Sequence, residues 1–172
     1  MLKGERPDID PVFELAELLY RRFDPEDVDQ YEPGKYRVLT TGWTDLHNMS
    51  VVRSKYAQPD YARWDSAADP ENQPDFVPQL YRDWYVAQLV IADVPAEIPS
   101  QGGGVQYQFV ATHVPFDDLY GHSEIRSSKG GVRIAKQNKF KSEKVKVQYR
   151  GILSDKAVVV LVPEQIVVDG AL

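Results

Sequence analysis

The sequence contains no cysteine. This absence excludes disulfide bonds, thiolate nucleophiles and zinc sites with cysteine ligands. Because secreted domains of this size often carry disulfides, it also favours a cytoplasmic location. Long apolar runs are missing too, since the longest, residues 157–163, has the length of a strand. We therefore expect no membrane span, which needs about 18 or more apolar residues, and the charged start of the chain predicts no secretory signal.

The remaining composition is that of one globular domain. The chain has 172 residues, of which 42% are hydrophobic and 27% are charged. A domain usually contains about 100–200 residues, so we predict a single domain over 1–172. The polar stretches at 1–9 and 169–172 are expected to be flexible ends.

Positive charge is concentrated in one segment. Residues 126–150 contain nine Lys or Arg and one acidic residue, whereas the rest of the chain has a net charge of −14. We expect a protein partner, with an acidic surface as one option and nucleic acid as another. The alternative is that the segment packs on the acidic body of the protein itself. The candidate partner-binding residues of this segment are Lys139, Lys141, Lys144 and Lys146.

The first half of the chain predicts one helix and short strands. Asp10 followed by proline is a favourable start for a helix, and apolar residues at helical spacing extend it over 11–23. Residues 36–41 and 50–56 are β-prone, and the second stretch has the charges of an exposed strand edge. Residues 57–79 are rich in Pro and Asp and predict a long loop.

The second half predicts a sheet and one more helix. Stretches 84–94 and 105–114 are strand candidates joined by a glycine-rich connection, which predicts an antiparallel hairpin. Residues 142–155 have helical spacing, although Val145, Val147 and Tyr149 also alternate as in a strand, and we favour the helix. Residues 157–162 predict a buried strand. The expected fold is α+β, a mixed or mostly antiparallel sheet covered by one or two helices.

Two histidines and nearby carboxylates form the main candidate catalytic cluster. His113 ends a predicted strand, and His122 and Glu124 follow in a polar turn. These residues, with Glu124 or Asp117 as the carboxylate, could serve as an acid/base pair of a small hydrolase or nuclease. Two imidazoles and one carboxylate also suit a metal, but the spacing matches no strong motif, and we predict no metal and no cofactor. A structural role for these side chains is the third option.

A second cluster consists of cations beside tyrosines. The helix end carries Arg21 and Arg22, and the predicted strand edge carries Arg53 and Lys55. Arginine beside tyrosine is a good anion contact, so converging elements would bind a phosphate or carboxylate. The alternative is a set of solvated charges at a helix end and a strand edge.

The glycine runs do not match any nucleotide-binding motif. Gly102–Gly104 and Gly130–Gly131 lack both the dinucleotide fingerprint and the lysine of a phosphate loop. Since no catalytic motif is complete, the leading hypothesis is a non-catalytic accessory domain that binds a protein through charge-segregated surfaces.

Three short motifs resemble a group of small uncharacterised bacterial proteins. These are L-Y-R-R-F at 19–23, S-V-V-R-S-K-Y at 50–56 and H-S-E-I at 122–125. The resemblance implies a bacterial cytosolic protein with a basic helix at 142–155 and a final strand. It implies no activity.

Overall fold

The computed structural model describes residues 9–65, 77, 79–99, 104, 106–116, 119–134 and 143–164. The strands in these residues are β1 (Leu18–Phe23), β2 (Val28–Glu32), β3 (Lys35–Val38), β4 (Asn48–Arg53), β5 (Trp64–Asp65), β6 (Gln79–Leu80), β7 (Tyr85–Val90), β8 (Glu97–Ile98), β9 (Tyr107–His113), β10 (His122–Lys129), β11 (Val132–Arg133) and β12 (Val158–Leu161). The helix α1 spans Glu143–Lys156. Short 3-10 turns occupy Pro25–Asp27, Thr40–Gly42, Pro59–Arg63 and Ile91–Asp93.

Eight strands form one sheet, in the order β12-β7-β1-β4-β10-β9-β8, with β11 paired to β10. The pairings among the described strands are antiparallel. The helix α1 packs on one face of this sheet, so the fold is α+β in a single domain, as the sequence predicts. We call this covered face the helix face, and the opposite one the open face.

The helix α1 confirms the helical interpretation of 142–155. Val145, Tyr149 and Leu153 are buried and lie four residues apart, which places them on one side of a helix. The ring of Tyr149 stacks on Phe109 of β9, with centroids 3.7 Å apart. The alternative interpretation of these residues as a strand is wrong, because Val147 lies on the far side of the helix and is exposed.

The helix predicted over 11–23 is wrong. No helix is present in the described residues 9–17, and 18–23 form the interior strand β1. Six consecutive residues of β1 pair with β7 on one side, and Leu19 and Tyr20 pair with β4 on the other. These long-range ladders outweigh a local helix signal of a few tenths of a kcal/mol per residue.

The predicted hairpin between 84–94 and 105–114 is also wrong. β7 pairs with β1 and β12, whereas β9 pairs with β10 and β8. Three strands, β1, β4 and β10, therefore separate two segments that are close in sequence. The strand β7 ends at Val90 because residues Ile91–Asp93 turn away as a 3-10 helix.

Edge and interior positions differ from the predictions at three further places. The stretch expected at an edge, 50–56, contributes β4, which lies between β1 and β10. The strand expected to be buried, 157–162, contributes β12 at the sheet edge, where Val158 is exposed. The stretch 36–41 contributes β3, which pairs with β2 in a separate two-stranded unit and not in the main sheet.

The predicted loop 57–79 is partly structured. Its described residues form the 3-10 turn Pro59–Arg63 and the strand β5, which pairs with β6. Arg63 is buried, and its Nε donates a hydrogen bond to the carbonyl of Trp84 (3.0 Å). Residues 66–76 and 78 of this loop lie outside the described residues, as do the predicted flexible ends apart from Ile9.

Two glycines provide a matched stability prediction. A Cβ at Gly42 would lie 2.7 Å from the Cβ of Asp27 and 3.1 Å from the Phe23 ring, so Gly42→Ala should destabilise the fold by about 1–3 kcal/mol. A Cβ at Gly151, inside α1, meets nothing within 4 Å, so Gly151→Ala should stabilise it by about 0.5–1 kcal/mol. Urea unfolding of both variants measures this difference, and equal midpoints would contradict it.

Candidate functional site

The strands β1 and β4 diverge and open a cleft in the sheet. They pair only at Leu19 with Arg53 and at Tyr20 with Val52. Beyond that point β1 stays paired with β7 and β4 stays paired with β10, so the two strands follow different neighbours. The resulting cleft has a volume of about 550 Å³, and we call it the strand-split cleft. Its aromatic lining residues are Tyr20, Phe23, Trp64, Trp84 and Phe116.

A ladder of polar side chains borders this cleft on the open face. Alternation along β4 and β10 places Ser50 directly across from Glu124, with His122 diagonal to it. The hydroxyl of Ser50 lies 2.8 Å from His122 Nε2. The amide of Asn48 donates to Glu124 (2.7 Å), whose other oxygen accepts from Arg126 (2.7 Å). The ladder therefore holds one charged pair and one hydroxyl–imidazole pair.

His122 is held in one orientation. Its Nδ1 lies 2.7 Å from the carbonyl of Val114, which can only accept, so Nδ1 carries the proton and Nε2 accepts from Ser50. Phe116 stacks on the imidazole with centroids 3.9 Å apart. Burial lowers the pKa of His122 below its usual value, against the opposing effects of Val114 and Glu124. The ring is therefore neutral at pH 7.

This lowered pKa predicts a pH-dependent stability. Because the unfolded chain binds a proton at this imidazole more readily, stability is fully present above the ordinary histidine pKa of about 6.5 and falls as the pH drops towards the folded pKa. The variant His122→Gln should lose less stability than the wild type between pH 7.5 and 5. Denaturant midpoints at the two pH values measure this, and parallel losses in both proteins would contradict it.

Arg21 lies across the divergence of the two strands. Its guanidinium donates to the backbone carbonyl of Ser50 (2.9 Å) and to the hydroxyl of Thr44 (3.3 Å). The Nε of Arg21 is buried and has no hydrogen-bond partner among the described residues, and the same holds for the Oδ1 of Asn48. Burial lowers the pKa of Arg21 to about 10, opposed by Asp45 and Asp27, so the group stays charged at pH 7.

The neighbouring Arg22 is already paired. It forms a salt bridge with Asp65 (3.0 Å) and donates to the carbonyl of Trp64 (2.7 Å). Its guanidinium also lies over the ring of Tyr81, 4.7 Å from the centroid. Arg22 therefore forms part of the wall of the cleft, whereas the Nε–H of Arg21 is buried without a partner among the described residues.

His113 does not join this site. It is the cross-strand partner of Ser123, the residue after His122, so the two imidazoles lie on opposite faces of the sheet. The Nδ1 of His113 accepts from the backbone N–H of Asp10 (2.9 Å), and its Nε2 lies 2.7 Å from the carbonyl of Tyr120. Both ring nitrogens thus have structural partners, and His113 and His122 cannot act together on one substrate.

Arg53 and Lys55 lie on the helix-face side, away from the cleft. Arg53 is fully buried and forms two hydrogen bonds to the carboxylate of Glu17 (2.7 and 2.8 Å). Lys55 forms a salt bridge with Asp10 (2.8 Å), which also accepts from Tyr56. The four cations predicted to converge on one anion are therefore split between the cleft and this second cluster.

The described part of the basic segment is partly engaged within the chain. Arg126 pairs with Glu124, and Lys146 pairs with Glu143 (2.6 Å). Arg150 donates to the carbonyl of Trp43 (2.9 Å). Lys144 is exposed on α1. Lys139, Lys141 and Asp117 lie outside the described residues, so their predicted roles stay predictions.

Sequence reasoning missed Ser50, Asn48 and Asp45 as site residues. The alternation N-M-S-V-V-R could have placed Asn48 and Ser50 on one face of a strand, but it could not show which strand lies across from them. Asp45 has a φ of 52°, a left-handed conformation that is uncommon outside glycine and that often occurs at functional sites. It lines the strand-split cleft beside Arg21.

Among the described residues, no group of three His, Asp or Glu side chains is arranged to hold a metal ion. In the same part of the chain, no helix is both long and apolar enough to cross a membrane. No known protein family, curated protein or solved structure gives a significant match to this chain.

Proposed function

We propose that this protein is a protein-interaction domain and that the strand-split cleft binds an extended segment of its partner. The observation that carries this proposal is a pair of buried polar atoms on residues that line the cleft, the Nε of Arg21 and the Oδ1 of Asn48, which have no hydrogen-bond partner among the described residues. The Nε–H of Arg21 needs an acceptor, and the Oδ1 of Asn48 needs a donor. Each peptide unit offers both, as a carbonyl oxygen and an N–H.

Leaving such atoms unpaired is costly, which favours a ligand that completes them. A buried donor or acceptor without a partner costs about 1–3 kcal/mol. Because Asp27 and Asp45 already lie close enough to raise the pKa of Arg21, a further carboxylate would meet their repulsion. An uncharged peptide carbonyl is therefore a better acceptor here than the anion that the sequence predicted for Arg21 and Arg22.

The charge of the cleft specifies the partner further. Its lining contains two arginines and five carboxylates, namely Asp24, Asp27, Asp45, Asp65 and Glu124. Two of these carboxylates, Asp65 and Glu124, are paired with arginines. The remaining negative charge favours a partner segment with Lys or Arg beside the bound peptide units. The aromatic rings of Trp64, Trp84 and Phe116 offer apolar contact to its side chains.

Selection from a library of displayed random peptides tests this proposal. We expect the wild-type chain to enrich basic peptides, and we expect Arg21→Met to weaken their binding about 5–100-fold, the equivalent of one lost buried hydrogen bond. Isothermal titration measures the affinities. Arg133→Met is the matched control, because Arg133 is an exposed arginine on β11 outside the cleft. Equal affinities for the wild type and Arg21→Met, or no enrichment, would overturn the proposal.

A further inference from the structure

The proposed binding of a peptide in the strand-split cleft does not explain the hydrogen bond between Ser50 and His122. We propose that Ser50 is a nucleophile, that His122 is its general base, and that the cleft hydrolyses uncharged carboxylic esters. This activity does not rest on peptide recognition, although both use the same cleft.

The geometry of the pair fits nucleophilic catalysis. Ser50 is exposed, so its hydroxyl is open to a substrate in the cleft. The Oγ lies 2.8 Å from His122 Nε2, within the range in which a base takes a hydroxyl proton. The carbonyl of Val114 fixes the other ring nitrogen as the protonated one, the orienting role that a third group has in a serine triad.

The surroundings of His122 keep its imidazole neutral, and so able to accept a proton, at neutral pH. His122 is almost fully buried and is covered by Phe116, so its ring cannot rotate freely and water reaches it poorly. The lowered pKa that results from burial leaves Nε2 unprotonated at pH 7. Charged or titratable groups that act on this imidazole are Glu124 and Arg126 on its own strand and His113 on β9.

The reaction balances with groups present in the cleft. Ser50 Oγ forms a bond to the ester carbonyl carbon, and its proton passes to His122 Nε2. The bond from that carbon to the alcohol oxygen then breaks, and the alcohol leaves with the proton from Nε2. Water hydrolyses the acyl-Ser50 by the same route in reverse. The guanidinium of Arg21, which donates to the backbone carbonyl of Ser50 (2.9 Å), is a cation beside the nucleophile.

The charge of the cleft selects the substrate class. Five carboxylates line it against two arginines, and Arg22 is engaged by Asp65. A phosphodiester would bring one negative charge per phosphate into this environment, whereas a neutral ester brings none. The aromatic lining of Trp64, Trp84 and Phe116 fits an apolar acyl group. The nuclease option considered from the sequence is therefore less favourable than ester hydrolysis.

Labelling with an alkyl fluorophosphonate tests the nucleophile directly. The Oγ of Ser50 forms the bond to phosphorus, fluoride leaves, and the hydroxyl proton passes through His122. We expect one adduct per chain by intact mass, mapped to Ser50 by peptide mass spectrometry. Labelling should be about 10²–10⁴-fold faster than at other serines, the usual contribution of a general base. A folded chain without a Ser50 adduct would overturn the proposal.

Variants separate catalysis from folding and from peptide binding. Ser50→Ala should abolish the adduct and the hydrolysis of p-nitrophenyl butyrate, and His122→Gln should slow both about 10²–10⁴-fold. Two controls should keep both: Ser128→Ala, a half-buried serine on β10 that bonds to Gln108, and His47→Gln, a histidine outside the cleft. Ser50→Ala should retain peptide binding while it loses ester hydrolysis. A wild-type chain that binds peptides but hydrolyses no ester would therefore contradict the hydrolase proposal alone, and one that hydrolyses esters but binds no peptide would contradict the peptide-binding proposal alone. Hydrolysis by Ser50→Ala at the wild-type rate would count against Ser50.

The pH profile of labelling identifies His122 as the base. The wild-type rate should rise to a plateau with a midpoint below about 6.5, the ordinary histidine pKa, because burial favours the neutral ring. The residual rate of His122→Gln should not show this midpoint. A wild-type rate that keeps rising through pH 9 would instead indicate direct ionisation of the hydroxyl and would exclude His122 as the base.

Discussion

Replacing Arg53 with methionine should destabilise the protein by about 3–5 kcal/mol, the usual cost of removing one partner of a buried ion pair. The Arg53 side chain is fully buried, and its two hydrogen bonds to Glu17 engage both oxygens of that carboxylate. Its Nη1 donates to the carbonyl of Asp10 (2.9 Å), and its guanidinium lies 3.9 Å from the centre of the Phe13 ring. Without Arg53, the Glu17 carboxylate, 5% exposed, would be charged and unpaired.

A double variant and a surface control make this expectation specific. Because the cost comes from the remaining charge, Arg53→Met with Glu17→Met should recover most of the lost stability. The control Arg37→Met removes an ion pair with Asp29 whose side chains are 62% and 40% exposed, and it should cost about 0–1 kcal/mol. Guanidinium unfolding of the four proteins measures these values. A single Arg53→Met as mild as Arg37→Met would show that the pair does not stabilise the fold.

Truncating Tyr149 to alanine should have an effect of similar size, about 3–5 kcal/mol, because it leaves a cavity between α1 and the sheet. Tyr149 is fully buried in the core, and its ring stacks on Phe109. Its hydroxyl has no hydrogen-bond partner among the described residues. Burial raises the pKa of this phenol, so it remains protonated well into the alkaline range.

The conservative variant Tyr149→Phe distinguishes the ring from the hydroxyl. It removes a buried polar group without a partner and should be neutral or stabilising by up to about 1 kcal/mol. Thermal and urea unfolding of Tyr149→Phe and Tyr149→Ala give the comparison. If Tyr149→Phe loses as much stability as Tyr149→Ala, the hydroxyl has a partner and the assignment of its environment is wrong.

The helix α1 and the stretch 11–23 show where a local sequence pattern is enough to predict secondary structure and where it is not. Val145, Tyr149 and Leu153 recur every four residues, and the helix they predict packs these side chains against the sheet. Asp10 followed by proline gave an equally good local start signal, and residues 18–23 nevertheless form β1. The difference is that β1 has paired strands on both sides, and those hydrogen-bond ladders depend on residues 32 to 72 positions away.

The prediction of the candidate site was limited in the same way, because it depended on which strands pair. The sequence singled out Arg21, Arg22, His122 and Glu124, and these four do line one cleft. It grouped His113 with His122 because His113 ends a predicted strand and His122 follows in the polar turn after it. Their strands pair so that the two rings face opposite sides of the sheet. Ser50 became the partner of His122 only through the register between β4 and β10.

Composition and short-range periodicity alone therefore determined the α+β class, the single domain, the helix at 143–156 and the absence of disulfide chemistry. The tertiary structure decided the strand order, the edge and interior positions, and the face of each polar side chain. The physical reason is that side-chain direction alternates with every residue of a strand, so a shift of one position in register moves a residue to the other face. Register and strand order are set by long-range pairing and burial, and a local pattern does not contain that information.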